Sequence, residues 1–492
     1  MSAYQGRVSP SREDGVVRSV SEAVGGPLGA HAGQHPWWTP LRAVLLLAAI
    51  AMSLGIVAKA PCLDIAGEAD RTGRYTSLCW SDTSTAYVAN GYAEGVWPFT
   101  DDEQVRARYA PAWVTPLPAY VAFASQRVTA LLSGSPDLEA RALKPVTDVA
   151  QQPDVLREAR IFTLVNAVLL AGAGLLAAGL LTGVRRRRPW DAAAFAAAPV
   201  LILFFPIAWD LLAAAAVAVA LWAWSQRRVG LTGVAIGVGA AASPFVALLL
   251  VPALALLLRD RRVPDAGVLG AGAVAAWTAL MIPAVASSPD VWLTSWKAYF
   301  HGADIGSAWL LAGQVGGVDP SGRVILIGTG VLLVGVSAVV VALAWRTTWS
   351  FASLGTLLVA EAMIVSPAAA PSYALVLLPL AVVAVRTWSH LLVWQACEIG
   401  HWAMLGFYLG GALAPSGGGD ARAYWLGVVL RITGLIWLIG VTAMSAADPD
   451  SPNVASADVD PVGSADVDSV EGGRGEADAD LDVLADVGNP RT

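Results

Sequence analysis

The chain has 492 residues, 56% hydrophobic and only 14% charged, with a mean hydropathy of +0.59. Soluble domains carry about 25% charged residues, so this composition excludes a soluble enzyme with one anchor and points to an all-α, polytopic integral membrane protein with modest loops. A net charge of −7, with no basic stripe outside the loops between apolar segments, argues against a nucleic-acid partner. The acidity belongs to one end. From Asp448 onward twelve acidic residues stand against two arginines, which leaves the preceding body at about +3.

In chain order, residues 1–40 read as a cytoplasmic extension, because the first apolar run begins near Ala43 and no signal peptide precedes it. Trp37 and Trp38 stand where an interfacial aromatic belt belongs. Basic clusters then divide the apolar sequence: Arg185 to Arg188, Arg227/Arg228, Arg259/Arg261/Arg262, Arg346 and Arg386. The positive-inside rule places all of them in the cytoplasm, so each stretch between two clusters crosses the membrane an even number of times. The outward tips fall at Trp209-Asp210, Ser243-Pro244, Ser287 to Arg323, Ser366 to Ser372 and Pro415 to Arg422. Twelve membrane helices follow: 43–58, 161–184, 191–208, 211–225, 229–243, 245–258, 266–284, 324–344, 350–365, 373–385, 391–410 and 424–444. Both termini are then cytoplasmic and residues 59–160 form a large first outer loop. Tyr109 to Leu132 is apolar, but a crossing there breaks the parity, and Pro111, Pro116, Pro118 and Arg127 interrupt it. It reads as helices at the outer interface. The two halves of 229–258 are each short for a ~30 Å core, so their tip lies below the outer surface. Small residues at Ala213 to Ala216 and at Gly233/Gly237 suit helix packing in lipid. The transmembrane domain is 41–446. The tail, 447–492, repeats Ser-Ala-Asp-Val-Asp at 456–460 and 464–468 and reads as disordered.

Cys62 and Cys79 share the first outer loop, whereas Cys397 lies inside a membrane helix. On the oxidising side two such cysteines can pair, and closing that loop contributes ~3 kcal/mol in the chain-entropy account. Two unpaired, partly buried thiols are the alternative. Neither a metal-ligand pattern nor a phosphate-binding glycine loop occurs, so no metal and no cofactor is expected.

Several polar residues sit at the outer face. Asp82 lies between aromatics and hydroxyls in Cys79-Trp80-Ser81-Asp82-Thr83. It is a candidate general base, or else the cap of a helix starting at Thr83. Asp210 begins a helix at membrane depth, which marks it as functional or, again, as a cap. Glu361 stands deeper in a helix and reads as structural. His301 and Asp304 lie in the segment from Tyr299 to Trp309. A lone loop histidine is usually just solvated, though protonated it can face a phosphate.

These pieces, in this order, resemble the bacterial polyprenol-phosphate-sugar-dependent membrane glycosyltransferases of glycosyltransferase family 87, within the GT-C superfamily. The carriers run from His35-Pro36-Trp37-Trp38 through Cys79-Trp80-Ser81-Asp82, Trp97-Pro98-Phe99, Arg188-Pro189-Trp190-Asp191 and Trp209-Asp210 to Gly302-Ala303-Asp304 and Pro371-Ser372-Tyr373. The resemblance implies inverting transfer of a hexose, of mannose type, outside the cytoplasm. The donor is a polyprenyl-phosphate-linked sugar, and the acceptor is a membrane glycolipid or glycan. It implies Asp82 as the residue that takes the acceptor proton, with Asp210, His301, Asp304, Tyr373, Arg108 and Tyr109 binding substrate. It also implies a plasma-membrane location. The chain departs from the family pattern at Trp113-Val114-Thr115, Ser243 and His301, where glutamate and cations are usual, and at the neutral tip before Pro371. Two further readings therefore stand beside it: a non-catalytic, lipid- or glycolipid-binding relative, and a transporter.

Overall fold

Main-chain polar groups have no partner in hydrocarbon, so a chain this apolar must satisfy them within helices. The computed structural model describes residues 14–24, 37–63, 71–109, 115–185, 188–300, 302–414 and 421–447, and among these there is no strand. His301, most of the N-terminal extension, Trp113 and Val114, the outward turn starting at Pro415 and the acidic tail lie outside the described residues. The protein is an all-α membrane protein. Five helices are long and apolar enough to cross a membrane: Pro40–Cys62, Pro153–Val184, Val263–Ser287, Gly322–Arg346 and Arg422–Ala447. Five shorter apolar helices lie between them: Asp210–Ser225, Val229–Ala242, Pro244–Arg259, Phe351–Val365 and Pro371–Ala384. A further helix, Trp388–Leu409, buries Gln395, Glu398 and His401.

Two expectations need correction. The single helix expected over 191–208 is three pieces, Pro189–Ala192, Ala193–Ala196 and Pro199–Phe204. Pro199 has no N–H to continue the helix, and Ala198 before it is extended (φ −62°, ψ 124°), as a residue preceding proline tends to be. The pieces stay in the core, where Phe195, Phe204 and Phe205 are fully buried. The helix expected over 161–184 begins at Pro153 and has 32 residues. At 1.5 Å per residue it is ~48 Å long, well beyond a ~30 Å core, and its extra turns carry the outer loop.

That loop is fastened by a buried network. Arg141 donates to both carboxylate oxygens of Glu158, at 2.7 and 2.8 Å, and Tyr87 Oη donates to the same carboxylate at 2.7 Å. Helix Pro116–Leu132 lies against the bundle. Tyr120 Oη donates to Leu280 O at 2.9 Å and accepts from Ala284 N at 3.0 Å, and Ser125 Oγ donates to Asn166 Oδ1. Helices Val229–Ala242 and Val263–Ser287 pack backbone to backbone: a Cβ at Gly233 or Gly237 would collide with the carbonyl of Leu269 or Ala273. This is the close approach that small residues permit. Near the chain start, Asp14 Oδ1 accepts from Val16 N at 3.0 Å, while its Oδ2 accepts from Trp388 N at 2.6 Å and Ser389 N at 3.4 Å. One buried carboxylate thus caps two helices.

Candidate functional site

The segment from Arg71 to Asp82 is built to a fixed shape. Helix Arg71–Thr76 ends in a turn in which Leu78 takes a left-handed φ of 56°, unusual for a residue with a bulky side chain. The next residue, Cys79, is disulfide-bonded to Cys62 with Cα atoms 5.6 Å apart. Trp80 then packs on Tyr75 and on Trp402, with ring centroids 5.6 and 5.3 Å away. Ser81 Oγ donates to Pro206 O at 2.6 Å, and Thr83 Oγ1 does so at 3.1 Å. The main-chain N–H groups of Asp82 and Thr83 donate to Ile207 O at 2.8 and 3.1 Å. The helix Asp82–Ala89 therefore starts docked on the 206–207 turn.

This docking decides what Asp82 does locally. The helix starts at Asp82 itself, its N-cap is Ser81, and no side chain caps it. The N–H groups of Asp82 and Thr83 are taken up by Ile207 O, and among the described residues the Asp82 carboxylate accepts no hydrogen bond. Its surface is open to solvent, yet neighbouring protein desolvates it. Its pKa is raised to about 6, first by burial and then by Asp210; Arg74 opposes, Asp304 raises it and Lys59 lowers it.

Asp210 and Asp304, also singled out in the sequence, are near enough for their charges to act on Asp82. Asp210 is the first residue of helix Asp210–Ser225 and does not cap it through its side chain. Its carboxylate takes the Ser372 hydroxyl as a partner. The preceding Trp209 is fixed by a 2.8 Å bond from Nε1 to the buried Asn166. Asp304 comes from the 302–307 loop, and its Oδ2 accepts from Ala369 N at 3.2 Å. Arg431 Nη1 donates to the carbonyl of that same Ala369 at 2.8 Å. Tyr373 is half-buried and packs edge-on against Phe245 at 5.2 Å, next to the Ser372 that bonds Asp210.

Arg108 and Tyr109 are placed elsewhere. Arg108 Nε donates to both oxygens of Glu94, at 3.2 and 3.0 Å, and Tyr109 Oη donates to the same carboxylate at 2.7 Å. Their polar atoms hold the outer loop together. His301 lies outside the described residues. Ser243 sits at its hairpin tip, 1% exposed, with no partner for its hydroxyl.

Sequence reasoning passed over several groups. Arg74 and Lys59 are cations that act on Asp82. Helix Trp388–Leu409 carries a buried set: Glu398, with Oε2 3.5 Å from Arg431 Nε, and the fully buried His401. In sequence these charges fall inside apolar helices, where a buried functional residue and a stray polar one look the same. The rarity of lysine, three in the chain, was the one available pointer to Lys59. Among the described residues no group of three or more His, Cys, Asp or Glu is placed to hold a metal ion.

No protein-family model matches the chain, and no curated protein matches it. Among solved structures it is similar to ArnT from Cupriavidus metallidurans bound to undecaprenyl phosphate, at 15% identity and a TM-score of 0.37, covering 82% of this chain and 77% of that one. Backbones that differ this much carry no inference about activity from one protein to the other.

Proposed function

We propose that the protein is a GT-C-like membrane glycosyltransferase. It moves a hexose, of mannose type, from a polyprenyl-phosphate donor to an extracytoplasmic glycolipid or glycan acceptor, with both chain termini in the cytoplasm. The reading rests first on Asp82: a carboxylate with no hydrogen-bond partner among the described residues, open to solvent at its surface, with a pKa near 6 because protein desolvates it. A base poised just below neutral pH is mostly ionised at work and still able to hold a proton. In the reaction Asp82 takes the proton of the acceptor hydroxyl as its oxygen attacks the anomeric carbon. The bond from that carbon to the phosphate oxygen breaks on the opposite face, and polyprenyl phosphate leaves with the electron pair. Asp210, Asp304 and Tyr373 line the acceptor and sugar side. Arg74 is the cation nearest to where phosphate charge develops.

One observation keeps the non-catalytic reading in play. Three neighbouring carboxylates disfavour a further negative group such as a phosphate, and the tips that would supply cations carry Ser243 and the neutral 366–372 turn. The deciding experiment is transfer from radiolabelled polyprenyl-phosphate sugars in membranes that express the chain, beside Asp82→Asn. Asparagine keeps the shape and loses no hydrogen bond, so the variant should fold normally and transfer at least ~10²-fold more slowly. Full activity in Asp82→Asn moves the base role to Asp210. No transfer by the unaltered protein from any such donor favours the lipid-binding relative.

A further inference from the structure

Lys59 sits in the last turns of helix Pro40–Leu63 and is 2% exposed. A lysine at the end of a membrane helix normally extends its ammonium to water. This one turns inward. Its Nζ donates to Leu78 O at 3.3 Å and lies under two indole rings, 4.8 Å from the Trp402 centroid and 5.6 Å from that of Trp80. The carbonyl it holds belongs to the residue with the left-handed φ. One turn further along the helix, Cys62 is bonded to Cys79. Two successive residues of the outer segment are thus tied to one helix end, four and three positions before Asp82. From the other side the same segment lies against Gly406 of helix Trp388–Leu409. A Cβ there would stand 2.5 Å from Leu78 Cδ2 and 2.8 Å from both Trp80 Cζ3 and Tyr75 O.

We infer that Lys59 is a positioning residue for Asp82: pinned under Trp80 and Trp402, its ammonium fixes the Leu78 turn from which the carboxylate is presented and supplies a counter-charge to it. The inference rests on the reading of Asp82 as base and adds a residue that touches neither substrate nor reacting atoms. Among the described residues, the charged groups that act on Asp82 are Asp210 from the helix it begins, Asp304 from the 302–307 loop, Arg74 from helix Arg71–Thr76, and Lys59. The two cations oppose the two like charges. The disulfide can hold the segment in place, but it carries no charge, so the two ties are separable by experiment.

The test compares Lys59→Met, Lys59→Gln and Lys59→Arg in the full chain, reconstituted in lipid nanodiscs. Methionine keeps the apolar stem, glutamine keeps a donor for Leu78 O, and arginine keeps the charge. The pH profile of sugar transfer should show the acid limb moved up by about 0.3 to 0.5 pH unit in Met and Gln. kcat should fall roughly tenfold with KM within twofold, and arginine should restore most of both. If Met does not fold, Gln carries the comparison. A lower melting temperature with an unmoved pH limb in Gln means Lys59 is merely structural and overturns the inference. Should the unaltered protein transfer nothing, the proposed function fails separately. Lys59 is then judged by infrared titration of the carboxyl band that disappears in Asp82→Asn. An upward midpoint in Lys59→Gln supports the coupling, and an unchanged one overturns it.

Discussion

Replacing Arg141 by methionine should destabilise the protein by about 3–5 kcal/mol, the usual cost of removing one partner from a buried ion pair. The structure shows why the upper range applies. Arg141 and Glu158 are 4% and 3% exposed, and their two bonds are short and parallel, at 2.7 and 2.8 Å. Without the guanidinium, Glu158 keeps only the Tyr87 hydroxyl among the described residues and is left buried without its counter-charge. The Ala93 carbonyl, which accepts from Arg141 at 3.0 Å, is orphaned as well, at ~1–3 kcal/mol. The nearby Asp154 adds little: it is 3.8 Å away and its side chain is 69% exposed. The double variant Arg141→Met/Glu158→Met should recover most of the loss, because an apolar pair of similar volume is often as stable as the ions it replaces. The assay is a double-mutant cycle on denaturation in nanodiscs, with coupling expected at 2 kcal/mol or more in order of magnitude. An Arg141→Met cost under about 1 kcal/mol, or no coupling, would refute the account. Tyr87 belongs to the helix that begins at Asp82, so the single variant should also weaken any transfer activity.

Transfer should decline as pH falls through about 6, since Asp82 must be ionised to accept a proton. Asp210→Asn removes the like charge that acts on it most and should move that limb down by about half a unit to one unit; a limb that stays in place contradicts the coupling of the two carboxylates. Because its folded pKa lies above the ordinary carboxylate value, protonated Asp82 contributes stability below that value which is lost as pH rises through about 6. Asp82→Asn should therefore be at least as stable as the unaltered protein at pH 7, and lower stability there argues for a structural role. Alkylation of the denatured, unreduced protein should tag Cys397 alone; three tagged cysteines in intact-mass spectra would show Cys62 and Cys79 unpaired.

Periodicity and proline made much of the helical framework readable. The apolar runs at 211–225, 229–243 and 350–365 correspond to helices Asp210–Ser225, Val229–Ala242 and Phe351–Val365. The piecewise 189–204 region was legible in principle, because Pro199 is in the sequence. Its continuous hydrophobicity hid the break, since burial on all sides makes a broken helix and a straight one equally apolar. The site was half readable. Asp82, Asp210 and Asp304 stand in turns beside aromatics, where a carboxylate is conspicuous. Lys59, Glu398, His401 and Arg431 have partners on other helices, and only tertiary packing brings those together. Arg108 and Tyr109 sit next to each other beside a recognisable motif, whereas the Glu94 carboxylate they bond, fourteen residues upstream of Arg108, is reached only through the fold of the loop.

The shared cap at Asp14 alters what the N-terminal segment is for. A chain end is commonly treated as dispensable, a place to trim or to fuse a tag. Here one carboxylate closes the start of helix Gly15–Val24 and the start of helix Trp388–Leu409 together, residues 374 positions apart in the second case. Shortening the chain past residue 14 therefore opens the beginning of a helix that carries Glu398, His401 and Trp402 near its middle. One side chain thus ties the N-terminal segment to helix Trp388–Leu409, so a cut before it would be felt in the helix whose Trp402 packs on Trp80.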